Sequence, residues 1–241
     1  MMARMRGEAG RQRWSGMASW YLALAFVAAM PYFLVLVDYP GATTAAEKVA
    51  LIVANYASMY AMYVATYMVF GIALAVVAFA LHDRSKAGAP LLARTAAAVG
   101  LFWALALVGC GMVFTYGMTT VVGLARTDLA QATLVWQTLE PVALGLGGAG
   151  GEFLGGLWVL LASWAAVRSG ALPRALAWLG VVVGAVGLAS VVPALHDGAY
   201  AFGLLLIVWF AWLGGVLFAS RATTVASRTT PVTPRAAPVA P

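Results

Sequence analysis

Six apolar runs, at about 20–37, 58–81, 95–122, 144–167, 175–195 and 199–219, fill most of this chain and are separated by short connectors that hold most of its charge. A bilayer core about 30 Å thick needs about 20 mainly apolar residues per helix, so each run is a candidate span. The expected fold is therefore all-α: a polytopic membrane protein built as a bundle of six transmembrane helices. Composition leaves little room for a soluble alternative. Of 241 residues 63% are hydrophobic and 9% are charged, against roughly 45–50% and 25% in soluble domains. The 14 basic and 8 acidic side chains cannot coat a globule of this size, so lipid must cover the apolar surface.

The connectors also carry a direction. With the N-terminus cytoplasmic, the inner segments hold Arg4, Arg6, Arg11, Arg13, Arg84, Lys86, Arg94, Arg168, Arg174, Arg221, Arg228 and Arg235, leaving only Lys48 and Arg126 outside. Cations stay on the cytoplasmic side, so this bias places both termini there and the protein in the plasma membrane as a multi-pass chain. The net charge of +6 is then a record of topology rather than a nucleic-acid surface. Three parts follow: a basic head at 1–17, the six-helix domain at 18–220, and a disordered cytoplasmic tail at 221–241 rich in Thr, Pro and Ala. The first run is longer than the 7–15 apolar residues of a signal peptide and reads as an uncleaved anchor. Residues 44–57 and 127–139 are expected to form short helices on the outer surface, with Pro141 breaking or restarting the chain after the second.

Residues 156–192 read GLWVLLASWAAVRSGALPRALAWLGVVVGAVGLASVV: a Gly/Trp helix, a short RSGALPR turn and a Leu/Gly-rich helix. This stretch resembles an uncharacterised bacterial six-span membrane family, the domain of unknown function numbered 4386. The resemblance implies six spans with short inner loops, and no activity or catalytic residue comes with it. The turn also has a local explanation. Gly170 suits a left-handed helix cap and Pro173 opens the next helix, where its missing N–H does no harm.

Inside the spans, Glu152 is the charged residue flanked on both sides by apolar helix. A carboxylate at membrane depth is costly, so it should face the bundle or a cavity. Residues 145–156 hold seven glycines, and Gly148, Glu152 and Gly156 fall on one helical stripe. Gly147, Gly148, Gly151, Gly155 and Gly156 are thus expected to let a neighbouring helix approach closely, as are Gly147/Gly151/Gly155 and Gly109 as packing faces. Helical rise puts Glu152 roughly 24 Å above the inner boundary, level with Thr66, Cys110 and Ser190. Hydrogen bonds from Glu152 to Tyr63, Thr66, Tyr67 or Ser190 are expected. If the glycine run is unwound, Glu152 sits in the first turn of a half-helix and lines a polar pocket, as in broken-helix transporters. If the helix is continuous, it is a buried hydrogen-bond donor.

Other constellations are weaker. Tyr56, Tyr60, Tyr63 and Tyr67 form a stripe on the second span that suits either packing or a cavity wall. Met59 and Met62, with His196, give a faint soft-metal pattern that gap-filling methionine explains more simply. His82 and His196 belong to opposite ends of their spans and cannot bind one haem. One cysteine excludes a disulfide within the chain, and no Gly-x-Ser-x-Gly elbow occurs. No cofactor, metal site or nucleic-acid partner is expected. Recognisable catalytic chemistry is missing, which leaves three readings. One is an accessory subunit or assembly partner, contacting other membrane subunits or itself through glycine-rich faces. The alternative is a small transporter or a ligand- or lipid-binding protein with an outer-half polar pocket at Glu152. An unfamiliar lipid-acting enzyme is the third.

Overall fold

The structure is a computed structural model that describes residues 2–147, 152–195 and 198–219, with side chains from residue 13 onward. Among these residues every regular element is helical. They are α1 (Met2–Pro31), α2 (Ala45–Ala54), α3 (Tyr56–Tyr63), α4 (Phe70–Ser85), α5 (Pro90–Leu124), α6 (Leu129–Gly147), α7 (Phe153–Ser169), α8 (Arg174–Ala189) and α9 (Gly198–Ala219). The expected tail at 221–241 lies outside the described residues.

Four stretches are long and apolar enough to cross a membrane: Arg13–Leu36, Tyr56–Ser85, Pro90–Leu124 and Gly198–Ala219. Helices α7 and α8 are apolar but only 17 and 16 residues long. The six apolar helices nevertheless close into a cycle. Helix α1 packs on α4, α4 on α5, α5 on α7, α7 on α8, α8 on α9, and α9 back on α1. Their main core holds Trp103, Trp158, Trp209 and Phe210 with Leu74, Leu176 and Leu206.

Two of these stretches widen into single π-helical turns, Tyr32–Leu36 after α1 and Val64–Val69 between α3 and α4. The first follows Pro31, which has no N–H for the helical ladder, and Val37 then donates five residues back to the Tyr32 carbonyl at 2.9 Å. Asp38 takes a left-handed conformation (φ 50°), one of the few non-glycine types that does so at low cost, and turns the chain toward α2. A capping box starts α2: Thr44 accepts from the Glu47 N–H, and the Glu47 carboxylate accepts from the Thr43 and Thr44 N–H groups. Those backbone donors hold the exposed Glu47 carboxyl below its ordinary range.

Helix α5 has 35 residues, about 52 Å of rise against a bilayer core of about 30 Å. Its surplus end is wrapped by α2, α3 and α6 in a second core of Ile52, Met59, Phe114, Met118, Val121 and Trp136. Helix α6 corrects one expectation, because it runs unbroken through Pro141. The proline is exposed, so its ring turns away from the core, while Trp136, Glu140 and Ala143 keep one buried face in register across it. Of the run expected at 144–167, residues up to Gly147 belong to α6, and α7 starts at Phe153. Likewise α8 stops at Ala189, four residues before Pro193, rather than continuing to 195.

The α7–α8 turn forms as its residues dictate. Gly170 is left-handed (φ 67°), the Ala171 N–H reaches the Ala166 carbonyl at 3.2 Å, and Pro173 caps α8. This turn abuts the α4–α5 loop so closely that a Cβ on Gly88 would sit 2.8 Å from Ser169 Cα. Both loops therefore lie at the same end of the bundle.

Candidate functional site

A partly open cavity of about 170 Å³ lies among α1, the two π turns, α4, α5 and the start of α7. Helix α1 contributes Ala25, Phe26 and Ala29, and the π turn after it contributes Phe33. Thr66 and Tyr67 come from the second π turn, Phe70 from the first turn of α4, and Trp103 and Leu107 from α5. Gly147, the last residue of α6, and Glu152, the N-cap of α7, complete the lining. The cavity thus sits where two helices widen and α7 begins. A π turn forfeits the regular ladder for one turn, and such turns recur at binding sites.

Glu152 is half-buried and turned into the cavity, and it makes no side-chain cap on its own helix. Its carbonyl starts the helix by accepting from the Gly156 N–H at 2.7 Å. Its N–H donates to Ser190 Oγ at 3.3 Å, and Ser190, fully buried, donates to the Gly187 carbonyl at 2.7 Å. One serine therefore ties the start of α7 to the end of α8. None of the described residues lining the cavity is Lys, Arg or His.

Thr66, Tyr67 and Ser190 are indeed brought to Glu152, but not as a hydrogen-bond cluster on its carboxylate. Ser190 meets the backbone amide, and Thr66 donates its hydroxyl proton to the Met62 carbonyl at 2.6 Å. No hydrogen bond joins the Glu152 carboxylate to a described residue. Tyr63 is not in the cavity. Its ring stacks on Phe114 (4.4 Å between centroids, 22° between planes) and belongs to the second core, as does Cys110. The tyrosines of the stripe differ in their contacts: Tyr56 is bonded to Thr119 Oγ1 at 2.8 Å, Tyr63 belongs to the second core, and Tyr67, its ring centre 5.7 Å from that of Tyr63, also lines the cavity.

The glycines divide as well. A Cβ on Gly156 would lie 2.6 Å from the Leu188 nitrogen, and one on Gly155 would lie 2.8 Å from the Trp103 ring. Gly147 rests against Ala106 and Leu107 of α5 at ordinary contact distance. Gly109, expected to support close packing, faces open space, because it points away from every neighbouring helix. Gly148, Gly151 and His196 lie outside the described residues. Met59 is buried in the second core, and Met62 is half-buried. Among the described residues no three His, Cys, Asp or Glu side chains gather as a metal cluster.

Sequence reasoning missed the contribution of the first helix. The small pair Ala25 and Ala29 at a spacing of four, with Phe26 and Phe33 at a spacing of seven, was the available signal. It also missed a polar clasp at the α2/α6 end. Lys48 Nζ lies 2.8 Å from both oxygens of Glu140, Tyr39 donates to Glu140 Oε1 at 2.7 Å, and Trp136 Nε1 donates to the Tyr39 hydroxyl at 3.0 Å. The Lys48 ammonium also stands 5.2 Å from the Tyr39 ring centre. Burial, and then the bond to Glu140, push the Tyr39 phenol well above its ordinary range.

A family model described as Domain of unknown function (DUF4386) matches residues 17–219, from within α1 to the end of α9. The chain belongs to this family. The match takes in every described lining residue of the cavity and the whole clasp of this DUF4386 chain. No curated protein and no solved structure matches it.

Proposed function

We propose that this is a six-span membrane protein, both termini cytoplasmic, that takes a small ligand into the cavity at Glu152. The observation that carries the reading is the cavity itself. It is a chamber with five aromatic rings among its eleven described lining residues, one carboxylate and the hydroxyls of Thr66 and Tyr67, set at the start of α7, which is the anatomy of a small-molecule site. Six spans are supported by the closed cycle of helices and by the α7–α8 turn lying beside the α4–α5 loop, which puts α7 at the depth of helices that are long enough to cross. The sorting of 12 cations to one side supports the orientation. The cavity then opens in the outer half of the bundle. The accessory-subunit reading draws on glycine faces free to receive a partner: Gly155 and Gly156 are occupied within the chain, and Gly109 is left facing open space.

The test uses cysteine access. In a Cys110→Ser background, Ala29→Cys places a thiol on the cavity wall and Leu74→Cys places one in the core, where Leu74 is fully buried. Methyl methanethiosulfonate, small and neutral, is expected to modify Ala29→Cys at least about tenfold faster than Leu74→Cys, the ratio that a free-energy difference of about 1.4 kcal/mol in access produces. Equal rates would mean a closed site and would sink the reading.

A further inference from the structure

We infer that the cavity at Glu152 recognises an ammonium group carried on a small apolar body. This rests on the cavity reading above and names its ligand class. The argument starts from charge. A carboxylate half-buried in a largely apolar chamber is stabilised by a cation beside it, and no cationic side chain lines this chamber among the described residues. An anionic ligand would repel Glu152, and a purely apolar one would leave its carboxylate unpaired. The second polar group points the same way. Thr66 has given its proton to the Met62 carbonyl, so its oxygen offers only lone pairs to a guest. The Tyr67 phenol, the third polar group of the lining, can donate or accept and sets no preference, so Glu152 and Thr66 together ask for a donor.

The walls add a second, independent preference. Phe26, Phe33, Tyr67 and Phe70 surround the space with aromatic rings, whose faces attract cations and whose hydrocarbon surface takes an apolar body. Size sets the limit. A protein cavity of about 150 Å³ holds benzene, so the volume of about 170 Å³ here suits one ring, or a short alkyl chain, with an ammonium attached. A free amine and the ethanolamine or choline head of a phospholipid share this chemistry.

The full-length chain carrying Cys110→Ser and Ala29→Cys, in nanodiscs of phosphatidylglycerol, provides the assay. Saturating benzylammonium is expected to slow methanethiosulfonate labelling at least about tenfold, whereas benzyl alcohol and phenylacetate at the same concentration leave it nearly unchanged. Glu152→Gln should abolish protection by benzylammonium without lowering the unprotected rate. If that variant does not fold, Phe33→Leu keeps the carboxylate, removes one ring and should weaken protection about threefold. Equal protection by benzyl alcohol, or protection by phenylacetate, would overturn ammonium recognition while leaving a ligand cavity in place. Failure of Ala29→Cys to label at all would overturn both. Adding phosphatidylethanolamine to the nanodiscs separates the two sources. Slowed labelling by the lipid alone identifies its headgroup as the ligand, and an unchanged rate alongside protection by benzylammonium identifies a free amine.

Discussion

At the scale of single residues, the clasp at the α2/α6 end shows how few charges this fold can tolerate and how it uses them. The Lys48 and Glu140 side chains are only 23% and 11% exposed, so neither can be left alone cheaply. Lys48→Met is expected to cost about 2 kcal/mol, below the roughly 3–5 of a fully buried pair because water still reaches the ammonium. Thermal unfolding in detergent should show a midpoint lower by about 4–8 °C, with most of it regained in Lys48→Met/Glu140→Met. If the double variant proves worse than the single one, the pair is not coupled as the geometry indicates. Tyr39 gives the clasp a pH dependence. Its phenol is raised in the folded state, so its contribution is complete below pH 10 and falls as the unfolded chain ionises above it.

Elements show the same economy through glycine. Helices α7 and α8 cross backbone to backbone, since a Cβ on Gly184 would come within 2.5 Å of the Leu160 nitrogen and 2.7 Å of the Gly156 carbonyl oxygen. Gly184→Ala is expected to lose roughly 1–3 kcal/mol by forcing the pair apart. Gly109→Ala, with open space around it, should be neutral or gain up to about 1 kcal/mol from helix propensity. Comparable thermal midpoints for the two variants would refute the close crossing. The hairpin was legible in the sequence because Gly170 and Pro173 act locally. A helix start at Glu152 is one of the alternatives that the dense glycines leave open. Of the π turns, Tyr32–Leu36 follows Pro31, whereas Val64–Val69 left no such mark, for it contains neither proline nor glycine. Tyr63 stays beside Tyr67 yet turns its ring onto Phe114 in the second core, a choice of partner that spacing along one helix does not reveal.

Across the whole molecule, apolar length and charge sorting made the helical class plain from the residues alone. The clasp was hidden because Lys48 and Glu140 are 92 residues apart, and no periodic pattern links them. The number of crossings turns on α7 and α8, which are each about 24–26 Å long by helical rise. Single cysteines at Lys86, Arg126 and Ser169 decide it, again with Cys110→Ser. An impermeant maleimide on intact cells should label Arg126→Cys, and should reach Lys86→Cys and Ser169→Cys only after permeabilisation. Ser169→Cys unreactive in both conditions would instead make α7–α8 a re-entrant hairpin.

The π turn at Val64–Val69 has a consequence for how such a site can arise or vanish. Its bonds close over five residues where an α-helix closes over four, so the segment carries one residue more than the ladder requires. Removing a single residue there would let Tyr56–Ser85 relax into an uninterrupted α-helix while α3 and α4 each kept their own partners. Thr66 and Tyr67 would then no longer share the chamber with Glu152. The chamber amounts to a one-residue frameshift in helical phase, gained or lost by one insertion or deletion with the rest of the bundle undisturbed.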